Sequence, residues 1–171
     1  MSAMDWLRLH HAPAEPGGFA SPAPDGASWI LVVDDELVVR DLLQRFLALE
    51  GYKVMCAADG IEGLELFHRH PGTFRAVILD VLMPRMNGSE LFAAIRRINP
   101  TMGMIVMSGF APGEQVADII GQPNTSFVNK PFVLGDMLMK VEDLLGHEAR
   151  PRSTWLAEPT TSTPRLEGIT D

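Results

Sequence analysis

A single cysteine, Cys56, stands in 171 residues, so no internal disulfide framework holds this chain. The histidines do not gather with cysteine at zinc spacing: His10–His11 and the pair His68 and His70 lack companions. Long apolar runs are missing too. The longest, Trp29–Val33 and Ala76–Leu79, reach only about five residues, where a membrane-crossing helix needs ~20. Met1–His11 has no apolar stretch of signal-peptide length. Positive charge is in deficit: 14 Lys and Arg against 22 Asp and Glu leave −8. That balance argues against nucleic-acid binding through a basic surface. The expectation left standing is a soluble, reduced, cytoplasmic protein with no membrane contact and no direct nucleic-acid contact.

The composition that remains, 46% hydrophobic and 21% charged, is that of a folded chain long enough to bury a core unaided. It is unevenly spread. Residues 1–28 carry Pro13, Pro16, Pro22 and Pro24 with Gly17, Gly18 and Gly26 among them, a mixture that sustains neither helix nor strand. They read as a disordered tail, apart from one apolar turn at Met4–Leu9. Residues 147–171, with Pro151, Pro159, Pro164 and a Thr/Ser stretch, read as a second tail. Between them, 29–146 holds 15 acidic and 10 basic residues and reads as the one domain.

Within 29–146 apolar runs alternate with helical patterns. Ile30–Val33 is a strand ending in Asp34-Asp35. Val38, Leu42, Phe46 and Leu49 recur at helical spacing and are read as an inward face, with a stop at Glu50-Gly51. Tyr52–Cys56 is a second strand. Asp59-Gly-Ile-Glu62 reads as a capping box opening a helix with Ile61, Leu64 and Phe67 on one side. Ala76–Leu79 is a third strand. Asn87 caps a helix with Leu91, Ile95 and Ile98 inward, stopped at Asn99-Pro100. Met104–Met107 is a fourth strand, whose methionines read as core rather than as a soft-metal surface. Pro112 opens a short helix with Val116, Ile119 and Ile120. Phe127-Val128 begins a fifth strand. Leu134, Leu138, Val141 and Leu145 mark a last helix closed by Gly146. Five strand–helix pairs predict an α/β domain: a parallel sheet covered by helices on both faces.

Sites in such sheets lie at the carboxyl ends of the strands. Asp34, Asp35 and Glu36 follow the first strand and Asp80 the third. Ser108-Gly109 follows the fourth and Lys130-Pro131 the fifth. Any one of these is an ordinary turn or cap. Jointly they bring carboxylates, a hydroxyl and an ammonium to one edge. Clustered carboxylates repel unless a cation joins them, and an oxygen-only set suits Mg²⁺ with phosphate oxygens. The set is that of a phosphoryl site, in which a carboxylate can act as nucleophile and form an aspartyl phosphate.

The stretches Ile30–Glu36 (ILVVDDE), Val77–Gly88 (VILDVLMPRMNG), Val106–Gly109 (VMSG) and Phe127–Phe132 (FVNKPF) resemble the receiver domain of two-component response regulators, here of single-domain type. The resemblance covers about 29–146. It implies a flavodoxin-like (βα)5 sheet of strand order 2-1-3-4-5. It implies Asp80 as phosphoacceptor from a sensor histidine kinase or a histidine phosphotransfer protein. It implies Mg²⁺ held directly by Asp35 and by Asp80, through water by Asp34, and by the backbone carbonyl of Leu82. Lys130 would pair with Asp80 and then with the phosphoryl oxygens, across a cis Lys130–Pro131 bond. Ser108 and Phe127 would form the switch, although Phe127 lacks the hydroxyl of the frequent tyrosine. Gly109 would leave the approach open. Apolar Leu82 and Phe110 are expected to hinder water and lengthen the phosphoryl lifetime.

Output is expected through a downstream protein target or onward relay, not enzyme turnover beyond self-catalysed phosphotransfer and dephosphorylation. Met137 and Leu144 of the last helix are the candidate homodimer face. Three other readings compete. A phosphorylation-independent binding module would use the same fold without the chemistry. An aspartate-nucleophile phosphohydrolase wants a general acid where Leu82 stands. A flavin site lacks its phosphate loop after the first strand.

Overall fold

The computed structural model describes residues 28–109, 119 and 121–146. Residues 1–27 with the apolar turn at Met4–Leu9, residues 147–171, Phe110, and the short helix expected from Pro112 apart from Ile119 lie outside the described residues. Ser28, expected in the first tail, is buried beside β2, its carbonyl accepting from Lys53 N–H. The elements in chain order are β1 (Trp29–Val33), α1 (Leu37–Leu49), β2 (Lys53–Ala57), α2 (Gly60–Arg69), β3 (Phe74–Asp80), α3 (Gly88–Ile98), β4 (Gly103–Ser108), β5 (Thr125–Asn129) and α4 (Leu134–Leu145). All four strand pairs are parallel, in the order β2-β1-β3-β4-β5. This is the flavodoxin-like sheet, with four helices among the described residues.

The central strands are apolar over most of their length because both their faces are covered. Successive side chains go to opposite sides. Leu31, Val33, Val77, Leu79, Met104 and Val106 join a cluster with Leu64 and Phe67 of α2 and Leu91 and Ile95 of α3. Ile30, Val32, Ile78, Ile105 and Met107 join the other with Leu43 and Leu47 of α1 and Met137 and Val141 of α4. Met104 and Met107 are fully buried, as expected. Ile119 is buried in the first cluster.

Three helix faces differ from expectation. In α3, Leu91 and Ile95 are buried, but Ile98, at the last residue of the helix, is exposed rather than inward. In α1 the buried residues are Leu43 and Leu47, with Val39 and Phe46 packed against them. Val38, Leu42 and Leu49 are exposed instead. The segment Leu37–Leu49 carries two adjoining apolar stripes, so helical period alone does not choose between them. In α4, Met137 is fully buried and Leu144 packs against the same cluster. These two therefore form no exposed dimer face; Met139 is the exposed large apolar residue of that helix.

The helix starts also refine the reading. Asp59 caps α2, its Oδ1 accepting from the N–H groups of Ile61 at 2.8 Å and Glu62 at 3.0 Å. Glu62 accepts from Ala58 N–H rather than from Asp59, so the box closes one residue early. The complete box is at α3, where Glu90 N–H donates to Asn87 Oδ1 and Asn87 N–H donates to Glu90 Oε2. At the far end of α3 the Arg96 guanidinium donates to the carbonyls of Pro100, Met102 and Pro123 and to Thr125 Oγ1. It thereby ties α3 to the beginnings of β4 and β5. Half-buried Cys56 has its thiol pushed up by burial, as suits packing better than redox chemistry.

Candidate functional site

The carboxyl ends of β1, β3, β4 and β5 meet at one edge. Parallel register sets this directly, because Val33 pairs with Leu79, Asp80 with Met107 and Ser108 with Asn129. Asp34 leaves β1 fully buried, its backbone N–H donating to the Ala57 carbonyl. Its Oδ1 accepts from Glu36 N–H at 2.9 Å, which folds the chain into α1. Arg40, one turn into that helix, donates to the carbonyls of Asp34 at 2.6 Å and Asp35 at 3.0 Å. The acidic loop is thus held from its own helix.

Lys130 stands at the centre of the charges. Its Nζ lies 2.8 Å from Asp34 Oδ2, 3.0 Å from Asp80 Oδ2 and 3.3 Å from Glu36 Oε1. Its backbone N–H donates to the Ser108 carbonyl at 2.7 Å, and the Lys130–Pro131 bond is cis. Burial alone would push this ammonium down. Asp34 and Asp80 beside it outweigh that and hold it well above the ordinary lysine range. Asp34 goes up from the carboxylate range because its own burial outweighs the help of Lys130. Asp34 Oδ2 sits at ion-pair distance from Lys130, yet it is buried and accepts no aligned hydrogen bond.

One carboxylate oxygen from each of Asp34, Glu36 and Asp80 falls within 4.8 Å of the others. Three carboxylates against one ammonium leave the pocket about two charges negative. Close-set hard oxygens and a buried oxygen with no aligned donor fit a small divalent cation. Glu36 belongs to this group and exposed Asp35 does not. Glu36 was legible only as a third acid after the strand, because nothing in its spacing says that it turns back toward Lys130. Ser108 is half-buried and Gly109 exposed at the end of β4. A Cβ placed on Gly109 meets none of the described residues within 4 Å. Phe127 is partly buried against the core cluster under α2 and α3. Leu82 is exposed in the loop after β3.

That loop, Val81–Asn87, is pinned on several sides, which sequence reasoning did not find. Val81 N–H donates to the Met107 carbonyl and Gly88 N–H to the Val81 carbonyl. Arg85 has φ 66°, a left-handed conformation uncommon outside glycine. Met86 N–H donates across it to the Pro84 carbonyl at 2.8 Å, a tight γ-turn. The Arg85 guanidinium pairs with the buried Asp59 carboxylate.

With this geometry in place, comparison with known proteins is decisive. Residues 30–142 match the response regulator receiver domain model. The chain belongs to the response regulator receiver family. Response regulator MprA of Mycobacterium sp. (strain KMS) is 36% identical over 117 residues, 68% of this chain and 50% of that protein. Sensor kinase CckA of Brucella abortus is 33% identical over 120 residues, 70% of this chain and 13% of that protein. The chain thus spans half or less of the length of these relatives, and the family's domain occurs in both a regulator and a kinase. Among solved structures, a CheY-like receiver domain protein of Methanospirillum hungatei superposes with TM-score 0.65 at 30% identity. The match covers 72% of this chain and 96% of that one.

Proposed function

We propose that this receiver takes a phosphoryl group onto Asp80 from a phosphohistidine of a sensor histidine kinase or histidine phosphotransfer protein. The observation that carries the reading is Lys130 Nζ at 3.0 Å from Asp80 Oδ2, inside a pocket of three converging carboxylates. The carboxylate of Asp80 attacks phosphorus as the P–N bond to the donor imidazole breaks, and the imidazole leaves with the electron pair. Lys130 moves its hydrogen bonds from the carboxylates to the phosphoryl oxygens. Ser108, at the end of the neighbouring strand, donates to another of those oxygens, and Phe127 follows it inward as the switch.

Mg²⁺ would be held by Asp35, Asp80 and the Leu82 carbonyl, with Asp34 acting through water and Glu36 close by. When bound it neutralises charge developing on the phosphoryl oxygens. Gain of nearly two charges and three acceptor oxygens biases the surface around Ser108 and Phe127. Signalling then follows by contact with a downstream target or by onward relay in the cytoplasm. Exposed Leu37, Leu82 and Val133 lie within three residues of Glu36, Asp80 and Lys130, and offer a donor protein apolar contact around the pocket. Leu82 cannot supply the proton a phosphohydrolase needs for its leaving group, so the chain acts as a stoichiometric acceptor rather than a turnover enzyme.

Intact-protein mass after acetyl phosphate treatment tests this. The expected result is a gain of about 80 Da that requires Mg²⁺ and is lost on chelation. No gain from either acetyl phosphate or a phosphohistidine donor would favour the phosphorylation-independent binding module.

A further inference from the structure

The loop after β3 carries the Leu82 carbonyl two residues beyond Asp80. Its shape depends on Arg85, whose positive φ closes the γ-turn at Pro84–Met86. An arginine gains nothing intrinsic from that conformation, so something outside the turn must hold it. Among the described residues, Arg85 forms its ion pair with Asp59. Asp59 is 1% exposed, and its two oxygens divide the work. Oδ1 caps α2 through the N–H groups of Ile61 and Glu62, and Oδ2 takes the Arg85 guanidinium. The next residue, Gly60, packs so close that an added Cβ would fall 2.7 Å from Met86 Cγ. The start of α2 and the tip of the β3–α3 loop therefore form one locked contact.

We infer that Asp59 and Arg85 are positioning residues for the metal-binding loop. Their ion pair, buried at the Asp59 end and open at the Arg85 end, holds the γ-turn, and through it the Leu82 carbonyl, in the conformation that takes Mg²⁺. Neither residue touches the acidic pocket. The inference rests on the reading of Leu82 as a metal-holding carbonyl. Partners that orient a metal's ligands are commonly worth ten- to hundredfold in affinity. Hydrogen bonds at Val81 and Gly88 pin the same loop independently, so the low end of that range applies.

The test is Mg²⁺ titration of the full chain by calorimetry, beside phosphorylation by acetyl phosphate across Mg²⁺ concentrations. Asp59→Asn keeps an oxygen for the α2 cap and removes the charge. Arg85→Gln changes an exposed side chain and leaves the cap untouched, so it carries the test if Asp59→Asn fails to fold. Each variant is expected to weaken Mg²⁺ binding roughly tenfold, with phosphorylation recovering at saturating Mg²⁺. Arg85→Lys, which restores the charge, should recover most of the affinity. Mg²⁺ affinity in both variants within about twofold of wild type, with only thermal stability lowered, would overturn the inference. Failure of the parent reading looks different: the wild type itself would take up no Mg²⁺, and both would fall together.

Discussion

Lys130→Met is expected to cost about 2–4 kcal/mol of stability at pH 7 in the presence of a chelator. Methionine fills a similar volume, so lost packing is a small part of this. The larger part is charge. Without the ammonium, the carboxylates of Asp34 and Asp80 stay buried beside each other and beside Glu36 with nothing to neutralise them. The pH dependence follows from the directions of the shifts. Burial already raises Asp34 above the ordinary aspartate range. A carboxylate raised in the fold favours the folded state when protonated, and that advantage is lost as pH climbs through its folded value. Loss of Lys130 raises Asp34 further, so the variant should weaken as pH rises from about 4 to 7. Lysine itself adds no slope in that window. Its folded value is raised, so its contribution is complete below the unfolded lysine range and fades only in strong alkali. Urea unfolding of both proteins at two pH values checks this. Mg²⁺ should restore part of the deficit by binding the folded state. Equal stability at pH 7 in chelator would show that Lys130 does not offset the pocket's charge.

Gly88→Ala is the second large effect. An added Cβ would overlap the Asp80 carbonyl oxygen and lie 2.8 Å from Val81 Cα. These are backbone atoms, which cannot rotate aside as a flexible side chain can. The cost is expected at about 2–3 kcal/mol, that of overpacking a rigid contact. Because the strained atoms belong to Asp80 itself, the acceptor moves with them. A misplacement of ~1 Å can slow an aligned reaction on the order of a hundredfold, so the phosphorylation rate should fall well beyond the loss of folded protein. Gly109→Ala is the matched control. Its Cβ would meet none of the described residues within 4 Å, and its effect on stability should stay within about 0.5 kcal/mol. Thermal unfolding and phosphorylation kinetics on the three proteins separate the outcomes. A Gly88→Ala protein with wild-type rate would mean that the start of α3 does not set the position of Asp80.

What the sequence made legible follows its strongest physical signals. Unbroken apolar runs marked the buried parallel strands, and the residue after each run pointed to Asp34, Asp80, Ser108 and Lys130. Period failed where two signals overlapped. Val38, Leu42 and Leu49 satisfy a helical spacing as well as Leu43 and Leu47 do, and only packing against Val32 and Ile30 selects the second pair. The sequence alone leaves Met137 on an exposed face, because its burial depends on how α4 lies against the sheet. Glu36 and Arg40 were hidden for another reason. Both act across a turn, Glu36 back onto Lys130 and Arg40 onto the carbonyls of Asp34 and Asp35. Asp59 was visible as a cap, but its partner Arg85 is 26 residues away in a loop whose positive φ no glycine announces.

The identity of the acceptor is tested most directly by trapping it. Wild-type protein would be phosphorylated with Mg²⁺ and acetyl phosphate, reduced with borohydride, digested and sequenced by mass spectrometry beside Asp80→Asn. Reduction turns an acyl phosphate into the alcohol, so a phosphorylated aspartate is read out as homoserine at its own position. The expected result is homoserine at residue 80 of the wild type and none at any position of Asp80→Asn. Homoserine at position 34 or 35, or reduction of Glu36, in the wild type would contradict Asp80 as the acceptor.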